Sequence, residues 1–150
     1  MIDNRYIAIE GPIGVGKTSF AEKLGECFSA ELILEKSNDN PFLKNFYADK
    51  DRYGFQTQTF FLLTRYTQQL DLAQRNLFHD GTICDYVFQK DMLFASLNLN
   101  EDEFSLYENF YNLLKPKIPA PDLVIFLQAG TDVLINRIRG RGRDFEKNIS

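Results

Sequence analysis

The chain has 150 residues, a formal net charge of −4, and 44% hydrophobic and 25% charged side chains. These values are typical of one globular domain with its own core, and they exclude an overall basic field that would attract nucleic acids or anionic membranes. The start of the chain carries no signal-peptide pattern, and no apolar run is long enough to span a membrane. Cys27 and Cys84 are predicted to be reduced core thiols. We therefore expect a single cytoplasmic domain over residues 1–150.

Strand and helix patterns alternate along the chain. Asn100 and Glu103 are spaced as a capping box, which predicts a helix start there. Such alternation predicts an α/β fold, in which a parallel sheet is covered by helices on both faces. Ligands of such sheets bind at the carboxyl ends of the strands. The predicted strands are 6–10, 31–35, 82–85 and 122–128, the last apolar enough to be central, and the predicted helices are 40–47, 51–78, 88–97, 100–114, 131–139 and 18–29.

Residues 11–18 fit the phosphate-binding pattern G-x-x-x-x-G-K-[ST]. The pattern lies between a predicted strand and a predicted helix, which is the context that a P-loop requires and that a chance glycine-rich turn lacks. In a P-loop, backbone N–H groups surround a triphosphate, Lys17 reaches its β- and γ-phosphates, and the Thr18 hydroxyl holds Mg²⁺. The predicted ATP-binding residues are Gly11, Pro12, Ile13, Gly14, Val15, Gly16, Lys17 and Thr18.

Three carboxylates, Glu10, Glu35 and Asp85, fall at the carboxyl ends of predicted strands, the edge where the P-loop lies, and two of them are given a role. Glu35 closes the second strand, where it can align an attacking hydroxyl on the γ-phosphate and accept its proton. Asp85 closes the third strand, where it can hold Mg²⁺ directly or through water. Position alone leaves open that Glu35 is a solvated strand-end residue and that Asp85 is a turn residue.

Gln58, Phe61 and Arg65 share one face of the predicted long helix. An amide, a ring and a guanidinium together can read the edge of a nucleobase, and Asp91 on the next helix can pair with Arg65. The alternative is that these residues form a plain solvent-exposed helix face. On the spacing of the residues alone, this alternative is favoured.

A dense basic cluster lies near the end of the chain, interrupted by Gly140 and Gly142. The glycines predict a mobile lid loop at about residues 139–147, whose arginines close over a triphosphate and exclude water. An RNA-binding tail rich in arginine and glycine is the alternative, which the acidic net charge disfavours. The cluster consists of Arg137, Arg139, Arg141 and Arg143.

Taken together, these residues resemble the deoxycytidine/deoxyguanosine kinase family of deoxynucleoside kinases, most closely its small bacterial deoxyguanosine and deoxyadenosine kinases. The resemblance extends over almost the whole chain and implies a three-layer P-loop kinase fold and a homodimer. It also implies ATP- and Mg²⁺-dependent phosphorylation of the 5′-hydroxyl of a 2′-deoxynucleoside, with purines favoured, in nucleotide salvage. The matching segments are 9–18, 35, 40–43, 46–47, 58–62, 65, 85–86, 91, 94–95 and 137–143.

The resemblance assigns a role to each candidate residue. Glu35 is the implied base for the 5′-hydroxyl, and Asp85 serves the metal and the substrate. Tyr47 and Glu146 are implied to bind the 3′-hydroxyl. Gln58, Arg65 and Asp91 are implied to read the base, Phe61 and Phe94 to lie near its faces, and Arg137, Arg141 and Arg143 to form the lid.

The chain departs from the family pattern in two places. Asp85-Tyr86-Val87 stands where much of the family has Asp-Arg-Ser or Glu-Arg-Ser, so phosphate neutralisation is expected to fall on Lys17 and the lid. Relatives also continue beyond the position of Ser150, so the last strand of the family fold is expected to be missing. A thymidylate-like nucleoside monophosphate kinase and a catalytically weak nucleotide-binding module remain the alternative functions.

Overall fold

The structure is a computed structural model that describes residues 5–72 and 80–142. Its contacts group these residues into two units. The sheet unit comprises residues 5–35, 80–87 and 120–142, and the helical unit comprises residues 36–72 and 88–119.

The sheet unit contains four parallel strands in the order β2-β3-β1-β4. In the β1–β3 register Ala8 lies opposite Cys84, and in the β2–β3 register Ile33 lies opposite Cys84 as well. The carboxyl ends of these three strands therefore open at one edge, as a parallel sheet requires. The strands are β1 (Arg5–Glu10), β2 (Glu31–Ile33), β3 (Gly81–Cys84) and β4 (Leu123–Phe126).

Two helices belong to the sheet unit, α1 (Lys17–Phe28) and α6 (Thr131–Arg141). Helix α1 packs on the strands through Ala21, which is fully buried. The β-branched side chains of the strands suit a buried sheet face. The core of this unit consists of Ile7, Ile9, Ala21 and Ile83, with Phe20, Leu24, Ala30, Leu34, Ile125 and Leu127 packed against it.

The helical unit has a separate core. Asn100 and Glu103 form the predicted capping box, with Glu103 N donating to Asn100 Oδ1 at 2.9 Å and Asn100 N donating to Glu103 Oε2 at 3.2 Å. The core consists of Leu62, Phe88, Ala95, Tyr107 and Tyr111. The helices are α2 (Leu43–Ala48), α3 (Lys50–Leu72), α4 (Lys90–Asn98) and α5 (Glu101–Leu114).

The predicted central position of the fourth strand is wrong for the described sheet, because β4 lies at its edge. Leu123, Val124 and Phe126 are all exposed, although they are apolar. A continuous apolar run predicts burial on both faces. It cannot distinguish a buried strand from an apolar surface, which explains the error.

The predicted lid loop is wrong at its start, because α6 continues through Gly140 to Arg141. A glycine in an exposed helix interior costs only about 1 kcal/mol relative to alanine, so the glycine does not end the helix. Residues 143–147 of the predicted loop, with Arg143 and Glu146, lie outside the described residues, as does the predicted end of α3.

The two cysteines differ in environment. Cys84 is fully buried as predicted, and burial raises the pKa of its thiol to about 12. Cys27 is exposed on α1, so its prediction as a core thiol is wrong. None of the described helices has the length and apolar character needed to cross a membrane.

Candidate active site

The predicted P-loop follows β1 directly and leads into α1. Gly14 has a φ of 80°, a left-handed conformation that glycine adopts without steric cost. A Cβ at Gly14 would lie 3.1 Å from both Leu134 O and Ile138 Cγ1, so the loop packs closely against α6. A Cβ at Gly11 would lie only 2.6 Å from Leu127 O, beyond the end of β4. Both glycines are therefore required by close packing as well as by the motif.

Lys17 begins α1, and its ammonium lies over the loop. Lys17 Nζ donates to Gly11 O at 2.8 Å and to Pro12 O at 3.4 Å. A positive charge held there, beside a helix N-terminus, favours phosphate binding.

Asp85 connects the P-loop helix to the segment that follows β2. Its side chain is 1% exposed. Thr18 Oγ1 donates to Asp85 Oδ2 at 2.6 Å, and Glu35 N donates to Asp85 Oδ1 at 2.6 Å. Burial raises the pKa of the Asp85 carboxyl, while its hydrogen bonds from Thr18 and Glu35 oppose that shift. The Asp85 carboxylate therefore joins the two segments that carry the predicted catalytic residues Lys17 and Glu35.

The adjacent oxygens of Thr18 and Asp85 fit Mg²⁺, which prefers oxygen ligands. No cluster of three or more His, Cys, Asp or Glu side chains suited to a metal occurs among the described residues. Mg²⁺ in kinases needs only one or two protein ligands, because phosphates and water complete its shell. The pair therefore fits a metal that binds together with a nucleotide.

Glu10 is a further polar residue of this region, at a predicted strand end, for which the sequence predicts no role. It ends β1 and is 9% exposed. Glu10 Oε1 accepts a hydrogen bond from Gly11 N at 2.8 Å, and Glu10 Oε2 accepts one from Val87 N at 3.2 Å. Its place at the carboxyl end of a strand next to the P-loop was the available signal.

Arg137 contacts the P-loop backbone from α6. Its Nη1 donates to Val15 O at 3.0 Å and to Gly14 O at 3.5 Å. Arg141 is the last residue of the same helix and is exposed. Two of the predicted lid arginines are therefore helical, and one of them touches the loop that is predicted to hold phosphate.

The helical unit brings together the predicted base-reading residues. Arg65 and Asp91 form the predicted ion pair, and the Arg65 guanidinium lies 4.8 Å from the Phe61 ring centroid. Gln58 is 5% exposed and the Arg65 side chain 12% exposed. The alternative of a plain solvent-exposed face is therefore wrong.

Asp91 Oδ2 and the Tyr107 hydroxyl are buried, and neither atom has a hydrogen-bond partner among the described residues. Burial raises the pKa of Tyr107, and the positive charge of Arg65 opposes that shift. A buried acceptor without a partner costs free energy until a ligand or a water molecule supplies a donor. Asp91 can therefore gain a hydrogen bond when a ligand binds.

The other predicted substrate residues are more exposed. The Phe94 ring is exposed, and Lys90 Nζ lies 5.3 Å from its centroid. Tyr47 is partly buried and packs edge-on against Phe46, with ring centroids 5.6 Å apart. The predicted partner of Tyr47, Glu146, lies outside the described residues.

A P-loop at the end of a parallel strand, with the Thr18 hydroxyl and the Asp85 carboxylate beside it, places the chain in the class of P-loop nucleotide-binding proteins. The family model described as deoxynucleoside kinase matches residues 7–150, and the chain belongs to that family.

Among curated relatives, the chain is 39% identical over 145 residues to a deoxyguanosine kinase of Bacillus subtilis, covering 96% of this chain and 70% of the relative. It is 36% identical over 152 residues to a deoxyadenosine kinase of Dictyostelium discoideum, covering 99% and 62%. A solved deoxyadenosine kinase from M. mycoides, with products dCMP and dCDP bound, matches with a TM-score of 0.81 and 28% identity, covering 97% and 75%. These matches confirm the predicted three-layer α/β P-loop kinase fold.

Proposed function

We propose that this protein transfers the γ-phosphoryl group of ATP to the 5′-hydroxyl of a 2′-deoxynucleoside, with deoxyguanosine and deoxyadenosine favoured, for nucleotide salvage. The family membership and the kinase relatives support an enzyme of this type. The observation that carries the proposal is the Asp85 carboxylate, which holds Thr18 of the P-loop and the backbone of Glu35 at once. This arrangement supports a donor site and an acceptor-aligning residue fixed by one buried group.

Glu35 is the proposed base. Its carboxylate accepts the proton of the 5′-hydroxyl while the bond from the 5′-oxygen to the γ-phosphorus forms and the bond from that phosphorus to ADP breaks. Alignment of the attacking oxygen contributes more to phosphoryl transfer than the strength of the base. The hydrogen bond from Glu35 N to Asp85 restrains the backbone that carries this group.

Thr18 and Asp85 are the residues proposed to hold Mg²⁺, which neutralises phosphate charge when it is bound. Lys17 is proposed to exchange its loop carbonyl partners for phosphate oxygens. The rest of the charge on the phosphates is proposed to be met by lid residues Arg137, Arg141 and Arg143.

The helical unit supplies the proposed nucleoside-binding residues. The Asp91 Oδ2 acceptor, which has no partner among the described residues, supports hydrogen bonding to an amino group of the base. A site built to hydrogen-bond a base penalises a base that leaves its buried polar groups unpaired. Gln58, Arg65 and Asp91 are proposed to read the base, Phe61 and Phe94 to lie near its faces, and Tyr47 and Glu146 to bind the 3′-hydroxyl.

A homodimer is proposed on an exposed apolar face of α4 and α5. Leu97 and Leu113 are 72% and 71% exposed, and the two helices pack against each other. Exposed apolar side chains on two packed helices are a feature of surfaces at which subunits associate. The exposed residues of this face are Leu93, Leu97, Leu106, Phe110 and Leu113.

The dimer is tested by a charged substitution on that face. Leu97→Glu is expected to convert the dimer to a monomer, measured by sedimentation velocity, because a buried unpaired charge opposes association. Leu63→Glu, at an exposed leucine of α3, is the control and is expected to stay dimeric. A monomeric wild-type chain contradicts the proposal.

A cytoplasmic location is proposed as well, supported by the two free thiols.

The reaction is tested with a panel of the four deoxynucleosides and their monophosphates, with MgATP and chromatographic identification of products. Deoxyguanosine and deoxyadenosine are expected to be converted to monophosphates faster than the pyrimidine deoxynucleosides. Turnover of dGMP or dTMP alone would instead indicate a nucleoside monophosphate kinase. ATP binding without any turnover would indicate a nucleotide-binding module.

A further inference from the structure

We propose that Glu10 is a positioning residue that fixes the Asp85 segment relative to the P-loop, an inference that rests on the proposed function. Glu10 ends β1, which lies between β3 and β4 in the sheet. It touches neither the nucleotide nor the nucleoside in this scheme. Its effect on catalysis comes through the residues that it holds.

Glu10 connects three segments at the carboxyl edge of the sheet. One side-chain oxygen accepts a hydrogen bond from Gly11 N at the start of the P-loop, at 2.8 Å. The other accepts one from Val87 N after β3, at 3.2 Å. Its backbone oxygen accepts one from Leu127 N after β4, at 2.8 Å. A single buried residue therefore sets the spacing of three neighbouring loops.

The carboxylate is the side chain that this position requires. Two backbone N–H groups donate to this side chain, and a carboxylate presents an acceptor to each of them. A glutamine would turn an N–H₂ donor toward one of these N–H groups and leave that group unsatisfied. An aspartate keeps both acceptors but is one methylene shorter, so it cannot reach both N–H groups in the same way.

The link from Glu10 to the reaction runs through a short buried stretch. Val87 lies two residues after Asp85, and the intervening Tyr86 is 2% exposed. Asp85 in turn accepts hydrogen bonds from Thr18 and from the Glu35 backbone. Because this stretch is packed, a displacement of Val87 moves Asp85, and with it the proposed metal ligand and base. A misplacement of about 1 Å in such a site can cost about 100-fold in rate.

Asp122 supplies a matched control at the opposite end of the same strand. Tyr6 N donates to Asp122 Oδ2 at 2.7 Å, so a carboxylate accepts from a β1 backbone N–H there too. That bond lies at the amino end of β1, away from the P-loop. If Glu10 only stabilised β1, removing the carboxylate of Glu10 or of Asp122 would lower the stability of the protein. Neither change would then alter the kcat of the folded protein.

The test compares Glu10→Gln, Glu10→Asp and Asp122→Asn in the whole chain, each checked for folding by thermal unfolding. Glu10→Gln is expected to lower kcat by about 10- to 100-fold and to raise the Mg²⁺ concentration for half-maximal rate, with the KM for deoxyguanosine within about two-fold of wild type. Glu10→Asp is expected to be intermediate, and Asp122→Asn to keep kcat within about two-fold.

Two outcomes overturn the proposal. One is a folded Glu10→Gln variant, or Glu10→Asp where Glu10→Gln does not fold, with wild-type kcat and Mg²⁺ dependence. The other is an equal fall of kcat in Asp122→Asn. If the wild-type chain phosphorylates no deoxynucleoside, the proposed function fails, and Glu10 is tested by ATP affinity with and without Mg²⁺. The gain from Mg²⁺ is then expected to shrink about tenfold in Glu10→Gln and to persist in Asp122→Asn.

Discussion

The sheet unit and the helical unit hold their polar groups by different means. In the sheet unit, Glu10, Asp85 and Lys17 bond mainly to backbone groups at the ends of parallel strands. In the helical unit, Arg65 and Asp91 meet side chain to side chain across two helices, and Asp91 keeps a buried acceptor without a partner among the described residues. The groups proposed for phosphate transfer are therefore already hydrogen-bonded within the protein, whereas Asp91, proposed to read the base, keeps an acceptor that a ligand can satisfy.

The largest expected effect comes from the proposed base. Glu35→Gln is expected to lower kcat by about 100- to 10,000-fold, because the amide cannot accept the proton of the 5′-hydroxyl. ATP affinity, measured by calorimetry, is expected to be retained. Glu22→Gln, on the exposed surface of α1, is the control and is expected to match wild type. Near-normal turnover in Glu35→Gln would remove Glu35 from the mechanism.

A large effect on the use of the nucleoside is expected in the helical unit. Asp91→Asn is expected to lower kcat/KM for the preferred deoxynucleoside by about 100-fold and to narrow its advantage over the other bases, since it loses a charged acceptor. ATP affinity is expected to stay within about two-fold of wild type. Asp102→Asn at the exposed start of α5 is the control. If Asp91→Asn lowered the affinity for ATP as much as it lowered kcat/KM for the deoxynucleoside, the proposal that only the helical unit binds the nucleoside would be wrong.

The fixed arrangement of the sheet unit has a stability cost that depends on pH. Burial raises the folded-state pKa of Asp85 above the ordinary 3.8, so stability is lost as the pH rises through that raised value. Asp85→Asn removes the charge. Without Mg²⁺ or nucleotide, its unfolding temperature is expected to exceed that of wild type at pH 8, by a difference that disappears at pH values below about 4. A difference that is constant with pH would show that burial does not penalise the Asp85 charge.

The smallest expected effect concerns the buried hydroxyl of Tyr107 in the helical unit. Tyr107→Phe is expected to raise the free energy of unfolding by up to about 1 kcal/mol, because its hydroxyl is buried without a partner among the described residues. Tyr111→Phe, one turn along α5, is the control for the loss of a hydroxyl in the same core. Chemical denaturation measures both. A destabilised Tyr107→Phe variant would mean that the hydroxyl is bonded to an ordered water, which would make this polar cluster complete without a ligand.

The sequence predicted local features well because their signals are local. The P-loop is a continuous motif, and Gln58, Phe61, Arg65 and Asp91 lie on helices whose spacing fixes their faces. The role of Glu10 escaped prediction because its second partner is Val87, which is distant in the chain and meets β1 only through the sheet.

The errors have a common physical origin, since each concerns the surroundings of a residue. The exposure of the β4 side chains depends on which elements pack beside the strand, and the apolar sequence of β4 does not contain that information. Gly140 stays helical because neighbouring turns of α6 support it at a small cost. The predicted roles of Arg143 and Glu146 fall outside the described residues and remain predictions.

The contrast between the two thiols has a practical consequence for experiments. Cys84 is buried with a raised pKa, and such a thiol forms little of the thiolate that reacts with maleimides. Cys27 is exposed near the end of α1, the helix that begins at Lys17. A fluorophore can therefore be attached at one place without mutagenesis, on the helix that the P-loop enters.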